Sequence, residues 1–354
     1  MSGWGKRPLS TWTLIALAAG AIGAAGAGAS GPVVPDRPSS RADAAASLMA
    51  RGIGAIAASR TARGLGFSAA DVNHTGLIGL AGSPITSSVG VLVAKRTATA
   101  PDWAAVVVHL LTEAGVRPGD TVAAGFSASF PGLNLAVTAA AQSLDLRLLS
   151  IAAVSASNWG ANDPAFTWLD MEEVLVRAGL AERSLAASLG GAADTGLDLP
   201  PGGAALVRSA IDRAGLPLIA APTLAESVRA RMALYAGAAA GEPIAAFINV
   251  GGAQANLGGC DEPFLATSGL LSKLPPCPAP RRGVAHHFVA SGVPVISLLN
   301  VRDLAIRHGL SIDPIPLPEP EAVGMRGHER TFRPISLLLA MLLVFGAVLR
   351  WGST

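Results

Sequence analysis

The stretch from Thr121 to Val154 constrains the fold more than any other part of the chain. Thr121–Phe126 is a β-branched and apolar run, Pro131–Leu144 reads as a helix with Asn134 near its first turn, and Arg147–Val154 is a second apolar run. Two buried strands separated by a helix and short links pair in parallel across a crossover, because a hairpin has no room for the helix. The pattern recurs along the chain. Leu77–Leu80 and Val89–Lys95 are short strand candidates around Gly82, Ser83 and Pro84, and Asp102–Gly115 reads as a helix closed by Gly115. Ile244–Val250 and Val293–Leu299 look like further buried strands, and Val301–His308 follows as a helix. The predicted class is α/β, a mainly parallel sheet with helices on both faces. Ser184–Gly203 reads as a surface excursion or subdomain boundary.

Composition narrows the function classes. Apolar residues make up 51% and charged residues 14%, where a soluble domain carries about 25% charged, so a disordered or coiled-coil chain is excluded. The balance of 26 basic and 24 acidic residues gives a net charge of +2 and no reason to expect a nucleic-acid partner. The 41 Gly and 25 Pro follow no triplet period, which excludes collagen. Two cysteines exclude a disulfide-rich scaffold and an all-cysteine zinc site. The 6 His form no HExxH pattern, and the adjacent His286 and His287 would point apart on a strand. Neither a metal nor a cofactor is expected.

Both ends carry uncharged runs. Lys6 and Arg7 precede a stretch from Leu9 to Pro35, whose apolar heart Trp12–Ala29 would make ~27 Å of helix. Residues 1–35 read as a signal sequence or signal anchor: Ala27-Gly28-Ala29 fits a cleavage site, while Ala16, Gly20, Ala24 and Gly28 recur at the spacing that lets membrane helices pack closely. At the other end Ile335–Leu349, bounded by Pro334 and Arg350, is apolar on every face and reads as a membrane helix over 334–350, although its ~22 Å fall short of the ~30 Å core. Lys6 and Arg7 favour a cytoplasmic N-terminus; Arg326, Arg330 and Arg333 before the second run argue the other way for that segment. Between them, residues 36–325 are expected to form the α/β domain, with a helical lead-in at 36–63. Cys260 and Cys277 flank a Gly/Pro-rich loop. As a disulfide they would add ~3 kcal/mol in an oxidising compartment; two buried thiols are the alternative. The expected location is the cytoplasmic membrane with the body outside it.

Three loops at strand ends concentrate the polar side chains. In the first, Gly125-Phe126-Ser127-Ala128-Ser129, Ser127 stands like a nucleophile elbow but lacks the second glycine of G-x-S-x-G; an anion cradle or a plain turn are the other readings. The second, Ser155 to Asp163, holds Ser157, Asn158, Trp159 and Asn162, and precedes a helix with Thr167 and Asp170 as cap candidates. Trp and Asn suit an amide or carbohydrate-like polymer, and Asp163 or Asp170 are general-base candidates. The third, Asn249 to Gly259, offers Asn249, Gln254 and Asn256 without the lysine or glycine spacing of a nucleotide site. Parallel strands would bring all three loops to one edge. Ser127 and Asp163 are therefore the catalytic candidates, and Ser129, Asn158, Trp159, Asn162 and Asn256 the ligand-binding ones. A triad of Ser127, His286 or His287, and Asp163 or Asp170 is a further arrangement that spacing alone does not test. Replacing Ser127 and Asp163 by Ala is expected to abolish function and leave the fold intact.

At KRTATAPDWAAVVVHLLTEAGVRPGD, GFSASFPGLNLAV and SASNWGANDPAFTWLDME the chain resembles the poly-gamma-glutamate system protein family, the W component of poly-γ-glutamate loci. SNWGANDP with TWLDME is the most specific stretch, and the likeness covers roughly Thr75 to Gly309. The resemblance implies a role in making, exporting or processing a γ-linked polyglutamate at the cell envelope, with the polymer, the synthase or export membrane subunits and the membrane as partners. It carries no assigned mechanism. Two functions follow: a membrane-anchored accessory protein that binds polymer or synthase subunits, or a hydrolase or amidotransferase on γ-glutamyl amides with Ser127 as nucleophile.

Overall fold

The computed structural model describes residues 40–260 and 267–319; the apolar runs expected to enter the membrane lie outside them. The lead-in is one helix, α1 (Ser40–Ala62). After a coil come β1 (Thr86–Ser88), α2 (Leu92–Thr97) and α3 (Trp103–Glu113). Next is β2 (Thr121–Ser127), α4 (Pro131–Ser143) and β3 (Arg147–Ala153). Three two-residue strands, β4 (Ala156–Ser157), β5 (Asn162–Asp163) and β6 (Phe166–Thr167), lead into α5 (Trp168–Arg177). The chain continues through β7 (Ala186–Ser188), α6 (Gly203–Ala214), α7 (Leu224–Ala239), β8 (Ile244–Val250) and α8 (Gln254–Leu257). It ends with β9 (Gly269–Leu271), α9 (Val284–Ala290), β10 (Val295–Leu298) and α10 (Val301–Arg307).

Every residue of β2 is buried, so each of its peptide groups needs a neighbouring strand. It obtains them at the centre of a sheet ordered β7-β3-β2-β8-β10-β9. All pairs are parallel except β10 with β9. The pleat sends alternate side chains to opposite faces. Val122, Ala124 and Phe126 join α1, α3, α4 and α5 in one apolar cluster, while Ala123 joins Tyr235 of α7 and Phe288 of α9 in a second. Helices therefore cover both faces of a mixed, mostly parallel sheet, and the α/β expectation holds at that level.

Four local expectations differ. Val89–Lys95 is not a strand: Leu92–Thr97 is a helix that buries Lys95, while Val89, Val91 and Val93 are exposed. Leu77–Leu80 is buried but pairs in no ladder. Its polar backbone is met by Asn162, whose Oδ1 accepts from Leu80 N–H at 2.8 Å, and by Trp159, whose N–H donates to Leu80 O at 2.8 Å. Ser184–Gly203 is not a surface excursion, because β7 within it is fully buried and pairs with β3. His286 and His287 lie on α9 rather than on a strand. Thr167 and Asp170 do cap α5, with Asp170 Oδ2 accepting from Thr167 N–H at 2.9 Å. Cys260 and Cys277 are disulfide-bonded, their Cα atoms 5.8 Å apart. No helix among the described residues is long and apolar enough to cross a membrane.

Candidate functional site

Parallel pairing brings the carboxyl ends of β2, β3 and β8 to one edge of the sheet, where open α/β sheets bind ligands. A cleft of about 720 Å³ opens there, within the usual range for small-molecule sites. Ser127 and Ser129 reach it from β2, Ser155 and Ser157 from the chain beyond β3, and Gly252, Ala253 and Gln254 from the turn after β8. Its rim is the segment Ser87–Val91 on one side and Asn300–Arg302 on the other.

Gly251 makes the third wall possible. Its φ of +70° is one that an L side chain rarely adopts, and a Cβ there would lie 3.1 Å from Ser127 Cβ. The helix α4 starts against the cleft because Pro131 stands at its first position and buried Asn134 donates to Ser127 O at 3.0 Å. The hydroxyls are linked: Ser129 N–H donates to Ser127 Oγ at 3.2 Å, and Ser157 N–H donates to Ser129 Oγ at 3.0 Å. Ser155 Oγ is buried on the cleft wall without a hydrogen-bond partner among the described residues.

Lys95 lies at the floor of this cleft and was not a sequence candidate. Its residue is 3% exposed. The ammonium donates to Ser157 Oγ at 2.7 Å and to Ser129 O, and it sits 3.6 Å from the centre of the Phe130 ring. It has no carboxylate partner among the described residues. Burial without a counter-ion disfavours the charged form, and the pKa falls to about 7. The carbonyl and the ring face favour the cation but do not cancel that cost. The helix that carries Lys95 is fixed at its C-terminal end. Trp103 Nε1–H donates to Thr97 O at 2.7 Å, Asp313 N–H donates to Thr97 Oγ1 at 2.9 Å, and Arg96 pairs with Asp313.

The remaining sequence candidates lie elsewhere. Asp163 is ion-paired with Arg60 at 2.8 Å and accepts from Ala165 N–H at 3.0 Å. Asn158 Oδ1 accepts from Gly90 N–H at 3.1 Å, and Asn158 Nδ2 donates to Ala81 O. Asn162 bonds Leu80 and Thr86 through both ends of its amide. Together with the Trp159 backbone these side chains clamp the 79–90 segment, whose end forms the cleft rim. Asn256 is fully buried and donates to Gly125 O at 2.9 Å. None of Asn158, Trp159, Asn162, Asp163 and Asn256 lines the cleft. Asp170 is held below the usual carboxylate range by hydrogen bonds from Arg213 and Thr167, against the opposing effect of burial. Ser127 Oγ has no histidine or carboxylate within hydrogen-bond reach among the described residues. No group of three or more His, Cys, Asp or Glu among them is arranged to hold a metal.

Fold and site together define an α/β protein with a serine-lined cleft at the carboxyl edge of its sheet and a desolvated lysine at the floor. Comparison with known family models, curated proteins and solved structures gives no match.

Proposed function

We propose that this chain is a membrane-anchored component of poly-γ-glutamate synthesis or export, and that its strand-end cleft binds a γ-glutamyl segment of the polymer. One observation carries the reading. The three stretches that resemble the poly-gamma-glutamate system family contribute Lys95, then Ser127 and Ser129, then Ser155 and Ser157, all to this one cleft. Hydroxyls suit the repeating amide of such a polymer, and exposed Arg302 on the rim suits its free carboxylates. The Cys260–Cys277 bond favours an oxidising compartment, in keeping with a body outside the cytoplasmic membrane held by the two terminal apolar runs. Synthase or export membrane subunits are the proposed protein partners. Catalysis centred on Ser127 has less support, because Ser127 Oγ has no histidine or carboxylate within hydrogen-bond reach among the described residues.

Titration calorimetry of the full chain with γ-linked and α-linked pentaglutamate tests the reading. The γ-linked peptide is expected to bind more tightly, and Arg302→Ala to weaken it about 5-fold, the loss of one partly exposed charge-assisted contact of ~1 kcal/mol. No heat with either peptide, or equal affinity for both, would contradict it.

A further inference from the structure

We propose that Ser157 and Lys95 form a serine–lysine catalytic dyad that opens an amide bond through an acyl-enzyme. The geometry is that of a nucleophile with its base: Ser157 Oγ lies 2.7 Å from Lys95 Nζ on the wall of the cleft. The neighbours assign the remaining valences of the amine. A neutral lysine keeps two N–H bonds and a lone pair. The Ser129 carbonyl takes one N–H, the Phe130 ring face receives the other, and the lone pair is left for the Ser157 hydroxyl. No carboxylate among the described residues holds the amine as a permanent cation, and burial brings its pKa to about 7, where a general base works best. Buried positive charge without a counter-ion is costly to fold around, which a purely structural role would avoid with a methionine.

The reaction balances with water as the second reactant. Lys95 accepts the hydroxyl proton as Ser157 Oγ bonds to the amide carbonyl carbon. The tetrahedral intermediate collapses, the C–N bond breaks, and the nitrogen takes the electron pair together with the proton from Lys95 and leaves as an amine. Water then attacks the Ser157 ester and gives its proton to Lys95; Ser157 Oγ departs and recovers that proton, and a carboxylic acid is released. The unpartnered Ser155 hydroxyl offers the cleft one further donor for the developing oxyanion. As to substrate, a γ-glutamyl amide rests on the reading given above; the dyad itself does not.

The test uses a fluorophosphonate, which labels activated serines whatever their substrate, on the purified full chain, with peptide mapping of the adduct. The expected result is an adduct on Ser157, formed faster as pH rises through about 7. Lys95→Met should slow it at least ~100-fold while the protein still melts cooperatively, and Ser157→Ala should abolish it. An adduct on another serine, no adduct on the wild type at pH 9, or an adduct rate unchanged in Lys95→Met would overturn the dyad. If Lys95→Met fails to fold, the adduct site and pH profile of the wild type decide alone. Labelled Ser157 in a protein that binds no γ-linked pentaglutamate would keep the dyad and refute the polymer. Pentaglutamate binding without labelling would do the reverse.

Discussion

Arg60 lies 2.8 Å from Asp163, the two side chains only 5% and 15% exposed. Its guanidinium also donates to Gly66 O at 2.8 Å and faces the Phe166 ring, so the pair ties α1 to the β5–β6 hairpin. Removing the carboxylate strands a withdrawn cation, at a cost of ~3 kcal/mol. Asp163→Ala is therefore expected to lower unfolding free energy in urea by about that amount. Pentaglutamate affinity, measured under conditions where the variant is folded, should stay within about twofold, since the side chain does not line the cleft. Unchanged stability with lost binding would return Asp163 to the ligand site. Lys95 illustrates the opposite case. Only Lys6, Lys95 and Lys273 are lysines among 26 basic residues, and lysine, unlike arginine, gives up its proton readily when buried. That rarity was the available signal; what sequence could not supply was the burial.

Among the elements, β2 and its neighbours were legible because long apolar runs flanked by turn residues admit few alternatives. The α2 segment was not. Val89, Val91 and Val93 alternate like a strand, yet the structure turns them outward and buries Lys95 and Ala98 instead, with Trp103 and Asp313 bonding the end of the helix at Thr97 and Arg96. The clamp residues misled for a related reason. Asn158 and Asn162 look like ligand groups in a polar loop, but the backbone of Leu80, Ala81 and Gly90, on either side of β1, lies outside any strand ladder and bonds their amides instead. A close contact also locks β2 to α8: a Cβ on Gly125 would lie 2.3 Å from the Asn256 amide. Gly125→Ala should cost about 2 kcal/mol or more, through overpacking and the lost Asn256 bond. Thermal melts should show Gly125→Ala/Asn256→Ala destabilised by less than the sum of the two single changes; strict additivity would mean that the contact is not the cause.

For the molecule as a whole, one topological rule does most of the organising. Parallel strands deliver their following loops to a single edge, so segments as far apart in sequence as Lys95, Ser157 and Arg302 border one cleft. Sequence gave the edge and two of its serines, Ser127 and Ser129. It did not give the floor, because that depends on β1 pairing with β4, a contact of Thr86–Ser88 with Ala156–Ser157 that no apolar pattern announces. This convergence creates a site around a deprotonatable amine. The sign follows from linkage: between pH 7 and the ordinary value of 10.5 the unfolded chain binds the Lys95 proton and the folded chain does not, so stability from this group rises with pH across that window. The direct measurement is NMR titration of the full chain carrying labelled lysine, whose three lysines give few signals to assign. The signal removed by Lys95→Met is expected to titrate at about 7. Titration of that signal near 10.5, the ordinary lysine value, would contradict it.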